Sequence, residues 1–141
     1  KVYIKSVVRY DLLTDEATKE VLEHHTFDTL KIAPEHVNKG ILKLMNKDKG
    51  NLQKFIKGKK KLSYYFIMCH PGSTKKEAQE LADAVKKLKC KEGVQLFTPT
   101  PMTVSTCMYY TGMNPKTKEK VYVPYTYNEK KEQKRLIFGS K

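Results

Sequence analysis

The stretch Leu62–Thr74, LSYYFIMCHPGST, constrains the fold more than any other part of the chain. Tyr64 to Cys69 is an unbroken apolar and aromatic run, of the length and composition of a buried strand. It stops at His70-Pro71-Gly72, a tight polar corner, and Thr74 with Glu77 then forms a capping box. In such a box the hydroxyl and the carboxylate each satisfy a free amide of the first helical turn. Ala78, Leu81, Ala82, Val85 and Leu88 follow at helical spacing as one apolar stripe. Strand, glycine corner and capped helix make one βα unit. Backbone N–H groups and a helix N-terminus converge at such corners, which is why ligands collect there; a plain connection has the same spacing.

The same rhythm recurs. Val2 to Val8 reads as a first strand ending at Arg9-Tyr10-Asp11, with a helix starting at Thr14. Thr29 to Ala33 reads as a second strand ending at Pro34-Glu35-His36, with a helix over Asn38–Met45 capped by Asn38. Asn46 to Lys61 is lysine-rich and supports only one weak amphipathic turn or two around Leu52, Phe55 and Ile56. Val94 to Phe97 is a fourth strand, closed by Thr98-Pro99-Thr100-Pro101, where the prolines forbid further ladder pairing. Repeated βα units predict an α/β fold with a mostly parallel sheet. Strand ends then point one way, so Arg9/Asp11, Glu35/His36, His70/Ser73 and Thr98/Thr100 should share one rim.

From Ser105 the character changes to an aromatic segment, turns around Gly112, a short strand over Val121–Tyr125 interrupted at Pro124, and a basic helix over Asn128–Leu136. This reads as an extension packed on the sheet. Tyr64/Tyr65 and Tyr109/Tyr110 read as packed rings in preference to stacking platforms for bases.

The chain has 141 residues, 28 Lys+Arg against 15 Asp+Glu and a formal charge of +13, yet Arg9 and Arg135 are the only arginines. Lysine suits loose phosphate attraction better than base reading, so RNA is an alternative partner. Cys69, Cys90 and Cys107 are far apart, with no CxxC spacing, which fits a reducing, cytoplasmic compartment. No apolar stretch of ~18 residues predicts a membrane span. A G-x-S-x-G elbow is missing, and Cys69-His70 adjacency makes no relay. A metal site from His36, Cys69 and His70 would need neighbouring strands. A carboxylate at a strand end, as Glu35 is, suits a ribose diol. From the residues alone the reading ends at a cofactor-binding α/β sheet, or half of one.

Longer motifs carry a resemblance. Val8-Arg9-Tyr10-Asp11, Leu30–His36, His70–Thr74, Phe97–Pro101, Val121–Pro124 and above all Leu96–Asn114, with Ser105-Thr106-Cys107-Met108-Tyr109-Tyr110-Thr111-Gly112, are similar to the C-terminal part of YgiQ-type (UPF0313) radical SAM proteins. The resemblance implies the last four βα units of a partial (β/α)6 barrel over residues 1–104 and a family-specific extension over 105–141. It implies S-adenosylmethionine and a [4Fe-4S] cluster in the full-length parent, whose radical chemistry acts on an unknown substrate. The cluster's CxxxCxxC loop would lie before Lys1, so this chain supplies no metal ligand and acts as a wall of the cofactor pocket. By the same resemblance Arg9 and Asp11 face cofactor or substrate, and Glu35 and His36 lie near its ribose or methionine. His70, Pro71, Gly72, Ser73 and Thr74 lie near the adenine, and Thr98 and Pro99 meet it through the backbone. Two departures stand out: Val7 where the family places glycine, and a shortened crossover over Asp48–Ser63. The expected partners are the remainder of the polypeptide, the unknown substrate, and a second copy paired through an exposed sheet edge. The alternatives are a basic RNA-binding module and a non-catalytic structural domain.

Overall fold

Leu62–Met68 (β2) is the middle strand of a three-stranded parallel sheet, flanked by Leu30–Glu35 (β1) and Val94–Leu96 (β3). The computed structural model describes residues 2–48 and 50–139. Leu30 pairs with Leu62 and Ile32 with Tyr64; the register then shifts, so that Glu35 pairs with Phe66. On the other side Phe66 pairs with Val94 and Met68 with Leu96. Six helices accompany the sheet among the described residues: α1 (Asp15–His24), α2 (Lys39–Leu44), α3 (Leu52–Ile56), α4 (Lys75–Leu88), α5 (Val104–Thr111) and α6 (Tyr127–Phe138).

The expected α/β class and the central unit stand. Thr74 and Glu77 form the capping box at α4, and Asn38 caps α2 by accepting from Ile41 N. The expected first strand does not. Val2 to Val8 runs extended, but only Val8 pairs, bridging Ile32 through Val8 N–H to Lys31 O and Ala33 N–H to Val8 O. Most of the segment is exposed, with no described strand on its far side to hold it, and Tyr10–Leu12 turns away as a single 3-10 turn. The sheet therefore has three strands where four were expected. The strand expected over Val121–Tyr125 does not form; pairing is confined to an antiparallel bridge between Met113 and Lys120, just before it.

The core lies on one face of the sheet. Side chains alternate along a strand. Phe66 and Met68 pack with Val94 against Leu81, Ala82 and Val85 of α4, and Ile137 of α6 joins them. Leu30 and Ile32 form a second cluster with Tyr10. The opposite face carries Lys31, Ala33, Ser63, Tyr65, Ile67 and Gln95, exposed or half-buried, and neither apolar cluster includes them. Parallel sheets are ordinarily covered on both faces; this one is covered on one. The last helix belongs to the covered side: α6 packs along α4, started by its own capping box of Thr126 and Glu129.

Candidate functional site

The corner between β2 and α4 is built by two residues in left-handed conformations. Cys69 has φ 61° and Gly72 φ 93°. At Gly72 a side chain is excluded twice over, by that φ and by Leu44 and Ile41, which a Cβ would strike. The corner's hydrogen-bonding groups are largely taken by the C-terminal segment. Gly72 N–H donates to Tyr122 O at 2.6 Å. Ser73 Oγ donates to Gln133 Oε1 at 3.1 Å, and Gln133 Nε2 returns a bond to Ser73 O at 2.6 Å. Thr74 is occupied with Glu77. Pro71 and Ser73 are buried. Of the five corner residues singled out in the sequence, His70 alone lines the neighbouring cavity.

That space is a cavity of about 560 Å³ on the uncovered face, at the C-terminal ends of the strands. Tyr65, Ile67 and Phe97 give it an apolar wall. Glu35 enters from β1, Gln95 from β3, and Thr98, Thr100, Thr103 and Ser105 from the run into α5. Lys43, Lys47 and Lys116 stand around it. An apolar wall with a few converging polar groups is the usual make-up of a small-molecule site.

At the β1 end two ion pairs lie side by side. Lys47 binds Glu35. Arg9 grips Asp11 through both Nε, at 3.1 Å, and a terminal nitrogen, at 2.5 Å. That hydrogen bonding holds the Asp11 carboxyl below its usual range against the opposing effect of burial, and Lys47 assists. Glu35 in turn adds to the charge felt by Arg9. Glu35 has φ 67°, a strained conformation for a residue with a side chain. The two strand ends thus match: each closes with a left-handed residue followed by a buried histidine, Glu35-His36 and Cys69-His70.

Both histidines are neutral. Burial pushes His36 down to about 4, helped by His70 and opposed by Glu77. Burial likewise pushes His70 down to about 4, opposed by the Pro71 carbonyl. His36 Nδ1 accepts from Asn38 N–H at 3.0 Å, so its proton sits on Nε2, which is buried with no hydrogen-bond partner among the described residues. His70 Nδ1 lies 2.7 Å from Pro71 O and must donate to it, which leaves Nε2 to accept from Ser105 Oγ, also at 2.7 Å. The metal grouping of His36, Cys69 and His70 that neighbouring strands would allow is not formed, although β1 and β2 are neighbours. Both His70 nitrogens are engaged, burial pushes the Cys69 thiol up to about 11, and among the described residues no three His, Cys, Asp or Glu side chains are grouped to hold a metal ion.

The structure brings Glu35, His70 and Thr98 to one cavity. Arg9 lies at the same end of the sheet, following the Val8 bridge, but outside the cavity. Asp11 borders a separate depression with Gly50 and Asn51, and His36 faces another, beside Val37 and Leu42. Pro99 is half-buried outside all of these. The wall residues Tyr65 and Ile67 were missed as site residues, though the two-residue period of the strand marks them as facing away from α4. Ser105 and Lys47 carry no local signal, since only the fold brings them to His70 and Glu35.

These features define a parallel α/β unit with one covered face, a pocket at its strand ends, and a C-terminal segment fastened to the corner beside that pocket. Over almost its whole length the chain matches a part of the UPF0313 proteins. It is 44% identical over 154 aligned residues to a UPF0313 protein of Methanocaldococcus jannaschii, an alignment covering 96% of this chain and 26% of that protein. A UPF0313 protein of Clostridium botulinum strain 657 is 44% identical over 97% of the chain, and one of Clostridium perfringens strain 13 is 40% identical over 97%. The chain spans about a quarter of the length of these relatives. The aligned 154 residues exceed the 141 of the whole chain, so the relative carries residues inside the aligned region that have no counterpart here. Residues 92–138 match the family model described as Domain of unknown function (DUF3362), which takes in β3, α5 and the whole of α6. No solved structure matches the chain. No helix among the described residues is long and apolar enough to cross a membrane.

Proposed function

We propose that this chain forms one wall of the S-adenosylmethionine pocket of a radical SAM enzyme, the rest of the pocket coming from the parent polypeptide. The observation that carries the reading is the uncovered face: a parallel sheet presenting Tyr65, Ile67 and Gln95 outward, with a cavity where its strands end. In a partial barrel this face is the interior, and the missing cover is the remaining strands and the ligand.

The residues present fit the cofactor. Tyr65, Ile67 and Phe97 offer an apolar surface to a purine. The Glu35 carboxylate suits a ribose diol or an ammonium group, and its ion pair with Lys47 orients it. The hydroxyl protons of Ser105 and of Thr98, Thr100 and Thr103 are donated within the protein, so their oxygens are left to accept from an exocyclic amino group. The cluster is another matter: Cys69 and Cys90 are buried with their thiols pushed up to about 11, which disfavours the thiolate a cluster requires. The ligands for the cluster must come from elsewhere in the parent. When bound beside such a cluster, the cofactor supplies hydrogen-atom abstraction; this chain's part is to bind, orient and exclude water.

Isothermal titration of the full-length parent with S-adenosylmethionine tests the reading. Tyr65→Ala and Glu35→Gln should each weaken binding by about tenfold, the loss of one stacking or charge-assisted contact. Binding unchanged in both variants would overturn it.

A further inference from the structure

We infer that the surface shared by α5 and α6 binds single-stranded RNA, through exposed tyrosines flanked by lysines. Sequence reading took Tyr109 and Tyr110 as packed rings. Tyr109 is one, held between Phe97 at 5.8 Å and Tyr125 at 5.3 Å. Tyr110 is not: it stands against Tyr109 edge-on and is 73% exposed. Tyr127, at the start of α6, is 74% exposed, and Tyr125 49%. Three large rings open to water along one short stretch of surface are a cost to a protein with nothing to set against them.

Lysines stand against these rings. Lys130 lies over the Tyr109 ring at 5.6 Å, and its Nζ donates to the Tyr109 hydroxyl at 3.4 Å. Lys131 lies over Tyr127 at 5.6 Å. Lys134 is exposed one turn further along the helix. The acidic residues of α6 are engaged elsewhere: Glu129 holds the helix cap and the Tyr122 hydroxyl, and Glu132 pairs with Lys75 at 2.6 Å. Of the exposed rings, Tyr127 has an ammonium directly over it, and Lys130 stands on Tyr109, the ring that both Tyr110 and Tyr125 touch.

This juxtaposition selects the ligand. Stacking on exposed rings requires bases with free faces, which a duplex does not offer. Unpaired bases are the ordinary state of RNA loops and ends. The excess of lysine over arginine suits the backbone-tracking, sequence-tolerant part of such binding. The inference is independent of the cofactor pocket, since none of Tyr110, Tyr127, Lys130 and Lys131 lines it.

Fluorescence anisotropy of the 141-residue chain with a labelled unstructured RNA of about 12 nucleotides, a length such surfaces cover, tests it. Because a chain of charge +13 attracts any polyanion, the decisive variant keeps the charge. The double substitution Tyr110→Leu with Tyr127→Leu should weaken RNA binding by about tenfold or more, while Tyr→Phe at both positions restores it. Binding to an RNA duplex of equal charge should be weaker than to the single strand and unaffected by either pair. Lys130→Gln with Lys131→Gln should lower the salt slope by about 1.4 for two phosphate contacts. Both tyrosines are largely exposed, so the substitutions leave the core untouched, and an unchanged circular dichroism spectrum verifies this. Single-strand affinity unchanged in the leucine variant, equal loss on the duplex, or single-stranded DNA bound as tightly as RNA would each overturn the inference.

Discussion

Lowering the pH from 7 to 5 should destabilise this fold through two buried histidines. His36 and His70 titrate near 4 in the native state, against about 6.5 in an unfolded chain. Both are held neutral by burial, and His36 also faces His70 and, with the opposite effect, Glu77. Between these values the unfolded chain binds protons that the native chain refuses, so stability falls as the pH drops through 6.5 and levels off near 4. At pH 5 each histidine contributes about 2 kcal/mol of destabilisation, and the pair about 4 kcal/mol. That is a large part of the ~5–15 kcal/mol that stabilises an ordinary domain. Carboxylates such as Asp11, held low by Arg9, lose their share only at still lower pH. Urea unfolding followed by far-ultraviolet circular dichroism at pH 7, 6 and 5 measures the effect. His36→Asn keeps an acceptor for Asn38 N–H and removes one titrating group, so the loss should halve to about 2 kcal/mol. A midpoint that does not move between pH 7 and 5, or a variant with the full pH dependence, would refute the reasoning.

Three other outcomes follow from the packing. Gly93→Ala drives a Cβ into the Tyr64 carbonyl of β2 and should cost about 3 kcal/mol or more by urea denaturation, because backbone cannot step aside as a side chain can. Gln133→Ala removes both bonds to Ser73 and leaves buried groups unpaired, at a cost of about 2–3 kcal/mol; hydrogen exchange should show the loss first in α6. Leu81→Ala, at the centre of the main core, should cost about 3 kcal/mol with the pH dependence unchanged.

The sequence discloses what is local. The Thr74–Glu77 capping box, the Ala78–Val85 stripe and the Asn38 cap fix α4 and α2 within a residue or so, because a helix start is written in three or four neighbouring side chains. The first strand misleads because β-branched composition marks a segment willing to pair, and pairing needs a neighbour that Val2–Val7 lacks among the described residues. The site divides the same way. Glu35, His70 and Thr98 are legible as strand ends of one parallel sheet. The fastening of Gly72 and Ser73 by Tyr122 and Gln133 is not, since contacts fifty or sixty residues apart leave no local pattern. In sequence the corner reads as a place where ligands collect or as a plain connection; in the fold its donors largely serve the C-terminal segment.

The central claim is that the face bearing Tyr65 and Ile67 is a wall completed by the parent polypeptide. Thiol labelling measures this most directly. In a Cys107→Ser background, which removes the one exposed cysteine among the described residues, Ile67→Cys should react rapidly with a maleimide in the isolated chain. In the full-length parent it should react at least tenfold more slowly, and more slowly again with S-adenosylmethionine bound. Equal rates in chain and parent, indifferent to the cofactor, would contradict the account.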